Sequence, residues 1–400
     1  MKSVRLAVAV THPIQYYAPL FRELAQRSGF ELMVYYGSDS GLKPRFDPGF
    51  GKLVQWDIPL LDGYQHEFLP NRSDARPVSG FSRYDCPAIG ERIRAGRHDV
   101  VLALTGYANR FGWQVRAAAR KACLPFLVRP EASAHTSAPS RLRHLARNIV
   151  ARAYYRGCAG VLTIGKRAGT FLKRLGIPEH RLFSSPYAVD NHYFQNRANE
   201  LLPQREDLRK SLGIAGASLV LLFVGKLQSK KQPLFLADAL RQMPKHREVA
   251  LVVVGDGELR EQLLAALKAV PGLRFHFAGF QNQTTVPNYY AVADCLVLPS
   301  TYGETWGLVV NEAMNFGCVP LVSDLVGCAD DLALPGVGFV FPSTDPAALS
   351  SIIKRLSDHP ELLATMKRRA LETVSNYSVE RAANGIIEAS NAVLSARPHS

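Results

Sequence analysis

The sequence predicts an α/β protein of two halves, each built on a parallel sheet flanked by helices. Three observations carry this. The chain has 400 residues, and a domain takes on the order of 100–200. Short apolar runs alternate with helical periodicity along most of its length, the pattern that builds parallel sheets. Hydrophobic residues make up 47% and charged residues 20%, a soluble globular composition with room for two cores.

In the first half, residues 4–10 read as a strand and 16–27 as an amphipathic helix. Residues 31–36, 100–103, 126–129 and 161–164 read as four further strands. The basic start and brief apolar stretch lack a small-residue cleavage site, which fits a buried first strand rather than a secretory leader. Residues 37–87, rich in Pro and Gly, match no period; a loop of that length is functional or holds structure without a sequence signal. The second half is more regular. Strands are expected at 219–224, 249–254, 274–278, 295–298 and 319–322. Helices are expected at 233–241, with Pro233 in the first turn, at 258–269, at 286–291, and at 307–316, where Gly317 stops the helix. Helices at 346–356 and 360–374 close the half. The polar stretch 197–212 places the boundary near residue 196, giving domains 1–195 and 196–375.

No apolar run reaches the ~20 residues of a membrane-spanning helix. The six cysteines form no C-x-x-C and no His pairing at metal spacing, so reduced thiols in a cytoplasmic protein are expected. The net charge of +14 is uneven: residues 1–195 hold 28 basic and 14 acidic side chains, residues 196–400 hold 20 of each. A basic half joined to a neutral half points to one domain that meets an anionic surface or acceptor and another with a different task. Within the basic half, residues 141–156 carry an i, i+3, i+4 stripe (Leu142, Leu145, Ala146, Ile149, Val150, Ala153, Tyr154) and five arginines with no acid. A stripe packed on the domain leaves the arginines outside, as a solvated face or a contact for anionic lipid headgroups.

Two features of the second half carry chemistry. Gly225-Lys226-Leu227 follows the strand 219–224 directly, with Lys231 beyond it. Ligands of open α/β sheets bind past the carboxyl ends of strands. A glycine there admits a ligand close to the backbone, and two ammonium groups neutralise a diphosphate. The second feature is residues 299–317, which follow the strand 295–298. Glu304 lies in the strand-to-helix loop and Glu312 eight positions on, inside the helix. Free N–H groups near Gly307 favour an anion, and carboxylates beside such a place suit a hydroxylated ligand.

Together with Val254-Gly255-Asp256-Gly257, Phe277-Ala278-Gly279, Pro299-Ser300 and Gly317-Cys318-Val319-Pro320, these segments fall in a characteristic order. Residues 155–375 resemble the donor-binding domain of the retaining glycosyltransferases of family 4 ("glycosyl transferases group 1"). The resemblance implies the GT-B fold, two Rossmann-like domains facing each other across a cleft, with residues 376–400 as a helix crossing back to the first domain. It implies transfer from a nucleotide-diphospho-sugar (UDP- or GDP-linked) to a glycan or lipid-linked acceptor of lipopolysaccharide or polysaccharide synthesis. Lys226 and Lys231 would hold the diphosphate, with Gly225 beside them. Glu312 would bind the ribose and Glu304 the sugar. The backbone from Gly303 to Leu308, Trp306 and Gly307 included, would contact sugar and phosphate, and the base would lie near Gly279 and Phe280. Lys226 stands where the family has arginine, which keeps the charge and loses the bidentate fork.

Fixed cations at the leaving diphosphate are the largest catalytic contribution on offer. The resemblance implies no metal or cofactor, and the lack of a D-x-D on a strand-end loop agrees with that. For the family's histidine in the first half, three residues remain open: Glu131, His135, and His12 after the first strand. Alternatives are a nucleotide-sugar epimerase or phosphorylase of the same fold. A nucleic-acid-binding protein fits less well, since no helix-turn-helix, zinc finger or RNA-binding signature accompanies the charge. A nicotinamide dehydrogenase is disfavoured by Arg260, which replaces the third glycine of G-x-G-x-x-G. The expected location is the cytoplasm, peripheral on the inner face of the membrane.

Overall fold

A computed structural model describes residues 3–74, 80–131, 141–243 and 249–396. The chain divides into two units. The first comprises residues 1–44, 59–187 and 379–400; the second comprises 45–58 and 188–378.

The strands, in chain order, are β1 (Val4–Val10), β2 (Phe30–Tyr36), β3 (Arg45–Asp47), β4 (Lys52–Val54), β5 (Gln65–Phe68), β6 (Val100–Ala103), β7 (Phe126–Val128), β8 (Gly160–Thr163) and β9 (Leu182–Ser184). They continue as β10 (Leu219–Val224), β11 (Val249–Val254), β12 (Arg274–Gly279), β13 (Cys295–Leu298), β14 (Val319–Ser323) and β15 (Phe339–Phe341). The first unit holds a seven-stranded sheet in the order β5-β2-β1-β6-β7-β8-β9. The second holds six strands in the order β12-β11-β10-β13-β14-β15. All pairings in both sheets are parallel. Each order runs outward from its first strand and then reverses to the other side, the doubly wound arrangement of Rossmann-like domains.

The central strands are apolar throughout because helices cover both faces: β10 reads Leu-Val-Leu-Leu-Phe-Val and β11 is buried along its whole length. In the second unit Leu221, Phe223, Leu251 and Val253 meet Leu236, Leu349, Ile353 and Met366 of the flanking helices. In the first unit the helix Val379–Ser395 packs on β8, β9 and the helix Tyr17–Gln26. Gly385 makes this close approach possible, since a Cβ there would stand 1.8 Å from the Ser184 carbonyl oxygen. No helix among the described residues is long and apolar enough to cross a membrane.

Two expectations change. The unassigned stretch 37–87 contains β5 of the main sheet and an antiparallel hairpin, β3 and β4, that belongs to the second unit. Of the stripe read from its sequence, the helix Arg141–Arg156 buries only Tyr154 among the described side chains. Leu145, Ile149 and Val150 are 59%, 60% and 43% exposed, and the buried positions are Ala151, Tyr154 and Tyr155. The tyrosines set the rotation. Tyr154 packs edge-on against Trp113 and Phe126 and donates its hydroxyl to the Gly112 carbonyl at 3.1 Å. That face therefore turns inward and the aliphatic positions outward.

Candidate active site

In a doubly wound sheet the ligand crevice opens where strand order reverses, at the carboxyl ends of the two central strands. In the second unit these are β10 and β13. The loop after β10 carries Gly225, Lys226 and Lys231; the loop after β13 carries Ser300 to Gly307. Backbone bonds stitch the two loops together. The Thr301 N–H donates to the Lys230 carbonyl at 2.9 Å, and the Thr301 hydroxyl reaches the same oxygen at 3.2 Å. Gln232, just before the helix Pro233–Arg241, holds a left-handed conformation at φ 49°, uncommon for a residue with a Cβ and of a kind that clusters at functional sites.

This stitching brings Lys231 onto Glu304, and their side chains form a short ion pair. The Ser300 hydroxyl donates to the same Glu304 oxygen at 3.2 Å. Behind the loop, the Gly327 N–H donates to the Glu304 carbonyl at 3.0 Å and the Cys328 N–H to the Trp306 carbonyl at 3.0 Å. Gly307 opens the helix Leu308–Met314 at φ 101°, where a Cβ would stand 2.7 Å from Leu298.

Lys226 is held by a residue that sequence reasoning missed. Its ammonium donates to both oxygens of Asp47, on the β3–β4 hairpin, at 2.8 Å, and lies 4.8 Å from the centre of the Phe50 ring. Asp47 also builds the turn, accepting from the N–H groups of Gly49 at 2.7 Å and Phe50 at 3.2 Å. Burial pushes its pKa up, but the Lys226 ammonium and these two amides outweigh burial and hold it below the usual carboxylate value. The rest of the hairpin is fastened the same way. Lys52 pairs with Asp256 at 2.7 Å, Phe50 packs edge-on against Phe280 at 4.7 Å, and Asn282 donates to the Gln55 carbonyl at 2.6 Å. Glycines make room for the contact: a Cβ on Gly49 would stand 2.6 Å from Lys226, and one on Gly257 2.9 Å from the Gly49 carbonyl oxygen. The signal was Pro48-Gly49, a turn dipeptide between Arg45–Asp47 and Lys52–Val54.

The structure thus brings together Gly225, Lys226, Lys231, Glu304 and the Gly303–Leu308 loop. Gly279, at the end of β12, adjoins them through its carbonyl, which accepts from the Gly255 N–H at 2.7 Å. Two residues sit deeper. Glu312 is 2% exposed, accepting a hydroxyl bond from Tyr290 and an amide bond from Gln283 at 3.1 Å. Trp306 is equally buried, and its indole donates to Asn311 at 2.8 Å, supporting the loop from behind.

In the first unit, strand order reverses between β1 and β6, and His12 follows β1. Its Nδ1 lies 3.0 Å from the Thr11 hydroxyl and 3.3 Å from that of Tyr84. Glu131, exposed after β7, accepts the hydroxyl of Tyr187, whose pKa burial raises well above its usual value. Arg129 beneath them is 2% exposed and donates to the carbonyls of Ser185 and Pro186 at 3.0 and 2.9 Å. His135 lies outside the described residues.

Residues 204–373 match the family model of the glycosyl transferases group 1. Most of the second unit is thus similar to a group 1 glycosyltransferase domain. The matched region contains Lys226, Lys231, Glu304 and Glu312. Among curated proteins, the chain is 29% identical over 217 residues to the lipopolysaccharide 1,2-N-acetylglucosaminetransferase of Salmonella typhimurium, covering 51% of this chain and 56% of the relative. It is 28% identical over 233 residues to the alpha-D-kanosaminyltransferase of Streptomyces kanamyceticus, covering 57% and 58%. The chain spans little more than half the length of these two relatives. Among solved structures, Anabaena HepE in complex with UDP aligns over 97% of this chain and 99% of its own, with a TM-score of 0.71 and 19% identity. The fold is GT-B, with two Rossmann-like halves, and the matched region lies in the second.

Proposed function

We propose that the protein is a retaining glycosyltransferase of the family 4 type, moving a sugar from a UDP- or GDP-linked donor to a glycan or lipid-linked acceptor. The observation that carries this reading is the Lys231–Glu304 pair at the strand-order reversal of the second unit, with Lys226 on the same edge. Breaking the sugar–phosphate bond puts negative charge on the leaving diphosphate. Lys226 and Lys231 supply fixed positive charge there without a metal. Glu304 accepts hydroxyl bonds from the sugar, and the Gly279–Phe280 turn takes the base. Glu312 accepts from Gln283 on one oxygen and from Tyr290 on the other, and a carboxylate oxygen can accept a second bond, here from a ribose hydroxyl. Glu131 and His12 are the described candidates in the first unit for a group near the reacting sugar. HepE was solved with UDP, which supports a nucleotide-diphosphate ligand. The similarity to a lipopolysaccharide transferase supports a cell-surface glycan acceptor. We place the enzyme in the cytoplasm, on the inner membrane face.

A thermal-shift panel of UDP, GDP and their sugars tests the donor. A ligand at 100 times its Kd stabilises the folded state by about 2.7 kcal/mol, so one nucleotide series should raise Tm and K231A should remove the shift. E304A should lower turnover by about 10²–10³-fold with Tm unchanged, the loss typical of a group that stabilises the transition state. No shift with any nucleotide sugar, or near-normal turnover in E304A, ends the reading. Product formed from donor alone, with no acceptor, would indicate an epimerase.

A further inference from the structure

We propose that the first unit carries a second anion site, for a ligand bearing a phosphate or diphosphate, at the edge of its sheet opposite to the usual ligand edge. A cavity of about 740 Å³ opens there, lined by Arg116, Arg120, Arg156, Arg181 and His180 over a floor of Phe126 and Phe183. Phe126 begins β7, and Ala159 in the same lining directly precedes β8, so the cavity lies at the amino ends of these strands. Its volume falls within the ~300–1,000 Å³ of small-ligand pockets.

The charge is one-sided. Among the described residues no carboxylate lines the cavity and none of the four arginines has an ion-pair partner. Glu179, the nearest acid in sequence, is held by Lys173. Arg205 and Arg209, by contrast, are paired with Asp294. Four guanidinium groups round one cavity repel each other, and a multiply charged anion relieves that repulsion. Arginine forks match phosphate oxygens bidentately, and a monoanion leaves most of the charge unbalanced. The two phenylalanine rings offer an apolar surface for the body of such a ligand.

Two of the arginines are held in place. The Arg116 guanidinium lies over the rings of Trp113 and Tyr154, at 5.6 and 5.4 Å. It crosses Gly157, where a Cβ would stand 1.8 Å from its Nη2. Arg181 donates to the Arg156 carbonyl at 3.4 Å. Holding charges in place before binding lowers the ordering cost on binding.

Cys123, on the rim, is exposed, whereas the other five cysteines are buried. Its alkylation by iodoacetamide, followed by mass spectrometry on the full chain, reports occupancy. With pyrophosphate at about three times its Kd, mass action leaves a quarter of sites empty and slows alkylation about fourfold. The slowing should vanish in R120A/R181A and persist in K231A. G157A, which only displaces Arg116, should weaken protection at unchanged Tm, guarding against a folding defect in the double variant. If vesicles containing phosphatidic acid protect and soluble pyrophosphate does not, with the same loss in R120A/R181A, the site holds and the phosphate is a lipid headgroup. Absence of protection by both, protection retained in R120A/R181A, or equal protection by phosphatidylcholine vesicles overturns the proposal. Because K231A leaves this readout untouched, failure here is distinct from failure of the donor-site reading.

Discussion

Asp47 and Lys226 show what a single charge does at this site. The ammonium assigned to a donor phosphate is held by a carboxylate at 2.8 Å through both oxygens. A phosphate entering there must share Lys226 with Asp47 or displace it, and the Asp47 charge also repels the diphosphate. Asp47→Asn keeps an oxygen to accept from the Gly49 and Phe50 amides, so the turn survives while the charge is lost. Donor KM should fall several-fold with kcat nearly unchanged; a tenfold rise in KM would show instead that Asp47 orients the lysine for the donor. Lys231 and Glu304 were legible in the sequence because each lies in the loop that follows a buried strand. Asp47 was not: it lies 179 positions from Lys226, and nothing local ties the two.

Between elements, the buried carboxylate of Asp294 has a comparable part in stability. It stands at the start of β13, accepts from the Val220 N–H of β10 at 2.9 Å, and pairs with Arg205, Arg209 and Lys367 at 2.7, 2.8 and 3.0 Å. Two helices are thereby tied to the sheet that positions Lys226 and Glu304. Burial alone would raise its pKa, but the three cations outweigh burial and hold it below the ordinary value of 3.8. A carboxylate with a depressed folded pKa stabilises fully above its unfolded value and loses that contribution as pH falls through the folded one. Asp294→Asn leaves three cations facing a neutral amide and should cost about 3–5 kcal/mol at pH 7. Urea melts should show the gap between variant and wild type shrinking below pH 3.8; a gap that stays constant into acid would refute the assignment. The element pattern itself was readable, since βα units carry their signals within a few tens of residues. The face of the helix Arg141–Arg156 was not, because Trp113 and Phe126, which decide it, come from other elements.

For the whole molecule, the excess charge and the exposed aliphatic face coincide in the first unit. Leu145, Ile149 and Val150 are exposed beside Arg143, Arg152 and Arg156, the composition of a helix that lies on an anionic interface. The chain should float with vesicles containing phosphatidylglycerol and stay in solution with phosphatidylcholine alone. Raising the salt from 0.1 to about 0.5 M should weaken binding, as screening shortens the Debye length from about 10 Å. L145E/I149E should abolish flotation and leave soluble-acceptor activity intact. Equal, salt-independent absence of binding to both vesicles would remove the membrane from the reading.

Taken alone, the sequence determined that there are two parallel α/β halves and most of their central strands, and it brought forward Lys226, Lys231, Glu304 and Glu312 as candidates. Those features rest on apolar runs and strand-end residues whose meaning is local. The tertiary structure alone decided that residues 45–58 join the second unit, that Leu145, Ile149 and Val150 face outward, and that four arginines from three segments share one cavity. Each of these depends on contacts between distant parts of the chain, and such contacts leave no period in the sequence.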